Sequence, residues 1–177
     1  MKDTADMPNG QVGQPEILTA ALGYAARGWK VFPCAPDGKA PITPNGQKDA
    51  TIDPDRIRAW WAATPDANIG VHLAASGLVA IDADTYKPDC GWQAWAADHA
   101  MPATLTQRSA RGGTHFLFRA DAARSFPGTL CDGVDVKHRG YILVAPSRFE
   151  GKPYQWQNDA PGGRRTAMDG PTGARPG

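Results

Sequence analysis

The chain has 177 residues, which suits one domain with a hydrophobic core, and its 41% hydrophobic and 21% charged residues are typical of globular proteins. No stretch approaches the roughly 20 apolar residues of a membrane span, and the N-terminus has no signal-peptide core, so we expect a cytoplasmic protein without a membrane partner. With a net charge of +1, any basic groove for nucleic acid must arise from local clustering of positive charge.

The three cysteines, Cys34, Cys90 and Cys131, are widely spaced and odd in number. They contain no Cys-x-x-Cys pair, which disfavours a zinc site completed by His99 or His138. We therefore interpret them as reduced thiols, as in a cytosolic protein.

The first half of the chain predicts two helices and a strand. An apolar stripe at helical spacing over residues 15–27 ends at Gly28, and residues 29–33 follow as a short strand. Residues 34–50 form a Pro/Gly-rich loop that contains Lys39. A second helix begins at Asp53-Pro54, with Asp as N-cap and Pro at the first helical position.

The rest of the chain is richer in strands. The predicted elements are strands at 68–73, 78–84, 103–108, 114–119, 133–137 and 141–145, a helix at 91–100, and an edge strand at 154–156. The pattern predicts an α+β (mixed α/β) fold with a largely antiparallel sheet. Residues 1–13 are predicted to be a flexible N-terminus, 14–157 the folded domain, and 158–177 a Gly/Pro/Arg-rich flexible tail or truncated linker.

The strand at 78–84 ends in two carboxylates, Asp82 and Asp84. Strand side chains alternate between faces, so both project from one face, roughly 6–7 Å apart along the strand. A bound Mg²⁺ or Mn²⁺ would relieve their mutual repulsion, because these ions prefer hard oxygen ligands. The alternative is an ordinary strand end whose acidic residues meet solvent or cap the next helix.

Two later strands carry further polar side chains on one face. His115 projects from the face of its strand that is opposite to the face of Phe116 and Phe118. Asp135 projects from the same face of its strand as Lys137. If these strands flank the first one, the imidazole and the third carboxylate join the first two on one concave face. Such a set is typical of a site for divalent cations and phosphate.

Glycines and cations near these strands fit a phosphate site. Gly112 and Gly113 precede the His115 strand and would let backbone approach a ligand, while the Arg111 guanidinium is suited to phosphate. Lys39 is a second candidate. The alternatives are a simple hairpin turn at the glycines and a solvated lysine.

The ordered motifs resemble those of the archaeo-eukaryotic primase superfamily: Ile81-Asp82-Ala83-Asp84, then Gly113-Thr114-His115, then Val134-Asp135. Their surroundings are more specifically similar to the bifunctional DNA primase/polymerase N-terminal domain (prim-pol) of plasmid and phage replication proteins. The resembling segments are 25–33, 38–41, 50–53, 60–61, 68–71, 77–84, 112–115, 133–137 and 140–147.

This resemblance implies a fold and an activity for residues 14–157. The fold would be an RRM-like, antiparallel-rich catalytic sheet with an N-terminal helical/αβ subdomain packed against it. The activity would be that of a nucleotidyltransferase, a primase and DNA polymerase that transfers nucleotides from (d)NTPs on a single-stranded DNA template with a primer. A replicative helicase, in trans or fused in a longer protein, is the implied partner.

The resemblance also implies roles for single residues. Two Mg²⁺ or Mn²⁺ ions would be held by Asp82, Asp84 and Asp135, and His115 would contact the incoming triphosphate. The residues expected to assist nucleotide or phosphate binding are Lys39, Arg111, Gly112, Gly113, Lys137 and Ser147. Two other classes remain open: a non-catalytic module that binds single-stranded DNA or an origin, and another Asp-x-Asp metal enzyme, such as a nuclease.

Overall fold

The computed structural model describes residues 16–158, which form three α-helices, two short 3-10 helices and eleven strands. The helices are α1 (Glu16–Ala26), α2 (Pro54–Ala63) and α3 (Trp92–Asp98). The strands are β1 (Val31–Cys34), β2 (Asn68–His72), β3 (Leu78–Ala83), β4 (Leu105–Arg108), β5 (Thr114–Arg119), β6 (Thr129–Cys131), β7 (Val134–Lys137), β8 (Tyr141–Val144), β9 (Arg148–Phe149), β10 (Lys152–Pro153) and β11 (Gln155–Trp156).

Two antiparallel sheets organise these strands. The larger sheet has the order β11-β4-β5-β3-β7-β6, and the smaller has the order β1-β2-β8. Strands β9 and β10 form a separate hairpin. Strand β3 is therefore central in the larger sheet, with β5 on one side and β7 on the other.

The main hydrophobic core joins the two halves of the chain. It combines apolar residues of α1, α2 and the smaller sheet with one face of the larger sheet, represented by Leu78, Ala80 and Leu117. Helix α2 begins as expected, because the side chain of Asp53 accepts a hydrogen bond from the Asp55 amide. Its buried face presents Ile57 and Trp61 to this core.

The opposite face of the larger sheet has its own apolar cluster. Val79, Ile81 and Phe118 are buried there, and Trp92 of α3 stacks on Phe116 with ring centroids 4.5 Å apart. The two faces of β3 thus differ. One is apolar along its whole length, whereas the other changes from Leu78 and Ala80 in the core to Asp82 beyond it.

The predicted α+β class with a largely antiparallel sheet is confirmed. The predicted edge strand at 154–156 is present as β11, which pairs with β4. The sequence pattern missed β6 and the β9–β10 hairpin, which are only two or three residues long and therefore too short for alternation to show. The predicted N-terminal segment 1–13 lies outside the described residues, as does the predicted tail apart from Asn158. None of the helices within residues 16–158 has the length and apolar content that a membrane crossing requires.

Candidate functional site

Four polar side chains form one row across the larger sheet. The Cα atom of Asp82 is paired with His115 of β5 on one side and with Asp135 of β7 on the other, and His115 is in turn paired with Gln107 of β4. Directly paired residues of antiparallel strands project from the same face. The structure therefore brings together Asp82, His115 and Asp135, up to 53 positions apart in sequence, as the alternation of the strands predicts. Gln107, the fourth member of the row, was not predicted.

This row opens onto a small polar cavity of about 230 Å³. Its lining is dominated by acidic and basic side chains, with two tyrosines and a serine. The lining residues are Lys39, Asp82, Asp84, Tyr86, Lys87, Ser109, Arg111, His115, Asp135, Lys137 and Tyr154.

Asp82 is the most constrained carboxylate of the cavity. Its Oδ1 lies 3.2 Å from Nε2 of His115, its Oδ2 lies 2.6 Å from Nζ of Lys137, and only 15% of its side chain is exposed. Burial alone would raise the pKa of Asp82, but the hydrogen bonds and charges of His115 and Lys137 hold that pKa well below its usual range. Asp82 is therefore an anion held by two donors.

Lys137 contacts two of the three carboxylates. Its Nζ lies 3.9 Å from Oδ2 of Asp135 as well as 2.6 Å from Asp82. Partial burial lowers the pKa of Lys137, but the hydrogen bond and charge of Asp82, with further charge from Asp135 and Asp84, raise it above its ordinary value. A positive charge thus lies between Asp82 and Asp135.

Asp84 forms an ion pair with a different lysine. The Nζ of Lys87 lies 2.5 Å from Oδ2 of Asp84, and Asp84 precedes Lys87 by three residues in the turn that follows β3. Lys87 was not among the predicted site residues. Since a lysine three positions after an acid in a turn is common, no sequence signal marked it.

Two further cations of the cavity lie beside one aromatic ring. Nζ of Lys39 lies 4.4 Å and Cζ of Arg111 lies 5.0 Å from the ring centroid of Phe149. Burial, and then the charge of Arg111, lower the pKa of Lys39. Arg111 also binds Glu150, with 2.7 Å between Nη2 and Oε1. The two predicted phosphate contacts are therefore close together.

Gly113 lies where the β4–β5 turn meets the end of β3. A Cβ atom at this position would lie 2.9 Å from the carbonyl oxygen of Ala83 and 3.1 Å from Oγ of Ser109. Gly112 has a φ of +96°, which favours glycine, and its carbonyl accepts a hydrogen bond from Thr85. The two glycines let the turn approach the acidic end of β3.

Ser147 does not line this cavity. It is fully buried, and its Oγ accepts a hydrogen bond from the amide of Ile69 in β2 at 2.8 Å. A serine whose hydroxyl oxygen is bound by the backbone of the smaller sheet has a structural contact instead. We therefore leave Ser147 out of the phosphate-binding set.

Several residues of the site were not predicted from the sequence. Ser109, Tyr86 and Tyr154 line the cavity, and Gln107 lies behind His115. Burial, followed by the negative charge of Asp82, raises the pKa of Tyr154 to about 12, so this phenol stays neutral. A tyrosine between two short strands, β10 and β11, and a glutamine in a strand of mixed polarity carry no motif that could have marked them.

The cavity contains carboxylate oxygens, the kind of ligand that a divalent cation such as Mg²⁺ prefers. Within residues 16–158 no three His, Cys, Asp or Glu side chains converge tightly enough to hold a metal ion unaided. However, Mg²⁺ is usually held by one or two carboxylates together with substrate phosphates. The Lys137 ammonium between Asp82 and Asp135 shows that these two carboxylates can accommodate a positive charge. Displacement of this ammonium would leave hard oxygen donors for Mg²⁺ or Mn²⁺.

Comparison with known proteins agrees with this geometry. A search among curated proteins returned no match. The sequence model of the family described as bifunctional DNA primase/polymerase, N-terminal, matches residues 21–172, a range that includes every residue of the cavity. Because the match spans most of the chain, this protein belongs to the bifunctional DNA primase/polymerase N-terminal (Prim-Pol) family.

Proposed function

We propose that this protein is a DNA primase/polymerase that transfers nucleotides from (d)NTPs to a growing strand on a single-stranded DNA template. The observation that carries the proposal is the row of Asp82, His115 and Asp135 facing a polar cavity with cations at its rim. Family membership supports the same reaction class. Plasmid- or phage-type replication is the context that we propose for it.

The three carboxylates would hold the metal ions. Asp82, Asp84 and Asp135 supply carboxylate oxygens to the cavity, and Lys137 and Lys87 neutralise part of their charge. Two Mg²⁺ or Mn²⁺ ions, when bound, would supply Lewis-acid stabilisation of both the attacking and the leaving oxygen. The Asp82 carboxylate is already ionised at neutral pH, so this ligand needs no deprotonation before it binds a metal ion.

The basic residues would bind the triphosphate. His115 presents its Nε2 to the cavity, and Lys39 and Arg111 present two charges beside the ring of Phe149. Charge-assisted hydrogen bonds from such donors are about twice as strong as neutral ones. A phosphate group between Lys39 and Arg111 would also offset the repulsion from Arg111, which is the second cause, after burial, that lowers the pKa of Lys39.

A template assay tests this proposal. Purified protein is incubated with Mg²⁺ or Mn²⁺, labelled nucleotides and single-stranded DNA, with and without a primer, for ribonucleotides and deoxynucleotides separately. We expect lengthened products. Shortened template would instead indicate a nuclease, and binding without any product would indicate a non-catalytic module.

Matched variants assign the activity to the cavity. Asp82→Asn and Asp135→Asn remove one carboxylate each, and we expect either to lower the extension rate at least about 100-fold, as for loss of one electrostatic stabiliser. Asp98→Asn is the control, because it makes the same change on the exposed surface of α3. Extension that persists undiminished in both cavity variants, with contaminating polymerase excluded, would overturn the proposal.

A further inference from the structure

A buried glutamine lies directly behind the histidine of the site. Gln107 in β4 has no exposed surface, and its Nε2 lies 2.9 Å from Nδ1 of His115. The two Cα atoms are paired across β4 and β5, and His115 is paired in the same way with Asp82. The three side chains therefore form a continuous line of contacts from the interior of the sheet to the cavity.

Two backbone groups fix the orientation of the Gln107 amide. Its Nε2 donates to the carbonyl oxygen of Leu143 at 2.7 Å, and its Oε1 accepts from the amide of Ala145 at 3.2 Å. Turning the amide by half a rotation would place oxygen against oxygen at Leu143 and N–H against N–H at Ala145. Buried groups left without partners in this way are costly. The nitrogen of Gln107 is therefore the atom that faces His115.

This orientation determines which nitrogen of His115 can carry the proton. The amide nitrogen of Gln107 is a donor only, so Nδ1 of His115 must accept. In a neutral imidazole the proton then lies on Nε2, 3.2 Å from Oδ1 of Asp82. We propose that Gln107 is a positioning residue that fixes His115 in the Nε2–H tautomer and so directs an N–H donor at Asp82 and the cavity.

The consequence for substrate follows if the proposed function is correct. An Nε2–H group at the cavity can donate to an anionic oxygen, whether the Asp82 carboxylate or a nucleotide phosphate. The opposite tautomer would present a lone pair to these oxygens and would repel them. Gln107 would thereby influence triphosphate binding without touching the substrate.

Nitrogen NMR on the nucleotide-free protein tests the tautomer directly. The chain has only four histidines, and His115→Asn identifies the signals of His115 in protein labelled with ¹⁵N-histidine. Spectra are recorded at one pH well above the ordinary imidazole pKa, where protonated and unprotonated ring nitrogens have separate shifts. We expect Nδ1 unprotonated and Nε2 protonated in the wild-type protein. A wild-type spectrum with the proton on Nδ1 would overturn the proposal by itself.

Two substitutions test the cause. Gln107→Glu offers an acceptor to Nδ1 and is expected to shift the population towards the Nδ1–H tautomer. Gln107→Met removes the donor but leaves the Asp82 carboxylate to favour Nε2–H, so a smaller shift in the same direction is expected. Asn68→Asp is the matched control. It makes the same amide-to-acid change at another buried residue. The amide nitrogen of Asn68 donates to the carbonyl oxygens of Gly38 and Arg148, and its oxygen accepts from the amide of Arg148. None of these bonds involves His115. Unchanged His115 shifts in both Gln107 variants would overturn the proposal.

Nucleotide kinetics separate this inference from the proposed function. We expect Gln107→Glu to lower kcat/KM for nucleotide about 10- to 100-fold, as for other residues that orient a functional histidine, and Asn68→Asp to have a smaller effect. If the tautomer responds to Gln107 but the wild-type protein extends no primer, the inference about Gln107 stands and the polymerase assignment fails. If the wild-type protein extends primers but its tautomer is the opposite one, only the role of Gln107 is wrong.

Discussion

The ammonium of Lys137 lies 2.6 Å from Oδ2 of Asp82, a diagonal contact between β7 and β3, since the Cα partner of Lys137 is Ala80. Asp135, which lies directly opposite Asp82, is farther from this ammonium, at 3.9 Å. The register of two strands thus places a cation between two carboxylates. This contact makes the stability of the protein depend on pH.

We expect Asp82→Asn to lower the free energy of unfolding by about 1–3 kcal/mol at neutral pH, because it breaks a largely buried ion pair. The pKa of Asp82 is lowered by folding, so the pair's contribution is fully present above the unfolded value of about 3.9 and is lost as the pH falls through the folded value. The difference between wild type and variant should therefore shrink below about pH 4. Urea unfolding at several pH values measures it, with Asp98→Asn as the exposed control. A difference that stays constant as the pH falls would contradict this prediction.

We expect Gly113→Ala to impair the site through packing alone. The new methyl group would lie 2.9 Å from the carbonyl oxygen of Ala83, which must then move together with the adjoining Asp84. Overpacking of this kind destabilises by about 1–3 kcal/mol, and primer extension should fall as the end of β3 shifts. Gly128→Ala is the control, because a Cβ atom there meets nothing within 4 Å. Equal effects of the two substitutions on extension would show that the close approach at Gly113 does not matter.

Tyr24→Phe should reduce stability without touching the cavity. The hydroxyl of Tyr24 donates to the buried carbonyl oxygen of Ala145 at 2.6 Å and accepts from Nε1 of Trp156 at 2.8 Å. Its loss leaves a buried acceptor unpaired, at a cost of about 1–3 kcal/mol. Tyr141→Phe removes a comparable bond, to the carbonyl oxygen of Lys39, but at an exposed position, so its cost should be smaller. Thermal or urea unfolding compares the two variants, and a larger loss for Tyr141→Phe would refute this reasoning.

Lys39 should react with amine-directed acylating reagents at lower pH than an ordinary lysine. Burial and the neighbouring Arg111 lower its pKa, so a larger fraction of its amine is neutral and nucleophilic at a given pH. Peptide mass spectrometry across a pH series compares Lys39 with the exposed Lys152. Added nucleoside triphosphate should protect Lys39 if it binds there. Identical pH profiles for the two lysines would contradict the expected shift.

The placement of Asp82, His115 and Asp135 on one face was predictable, because it follows from the residue pattern within each strand. Alternation within three short strands puts Asp82, His115 and Asp135 each on a defined face, and the apolar residues between them fix which face is buried. Their roles as metal and triphosphate ligands remain predictions. What the sequence could supply was the pattern along each strand.

Gln107 and Ser147 show why the remainder was not predictable. The partners of Gln107 include Leu143, 36 positions later, and the hydroxyl of Ser147 is bound by Ile69, 78 positions earlier. Neither contact can be recognised from the residues that adjoin Gln107 or Ser147 in the sequence. A buried polar side chain acquires its function from backbone groups that only the folded topology brings to it.

The central place of β3 also limits how the chain can change in length. Leu78, Ala80 and Asp82 point to one face, and Val79 and Ile81 to the other, which is buried as well. Inserting or deleting a single residue within this strand would exchange the two sets, driving isoleucine into the polar cavity and aspartate into hydrocarbon. Loop-length variation can therefore be accommodated before Leu78 or after Asp84, while the strand between them cannot change in residue number.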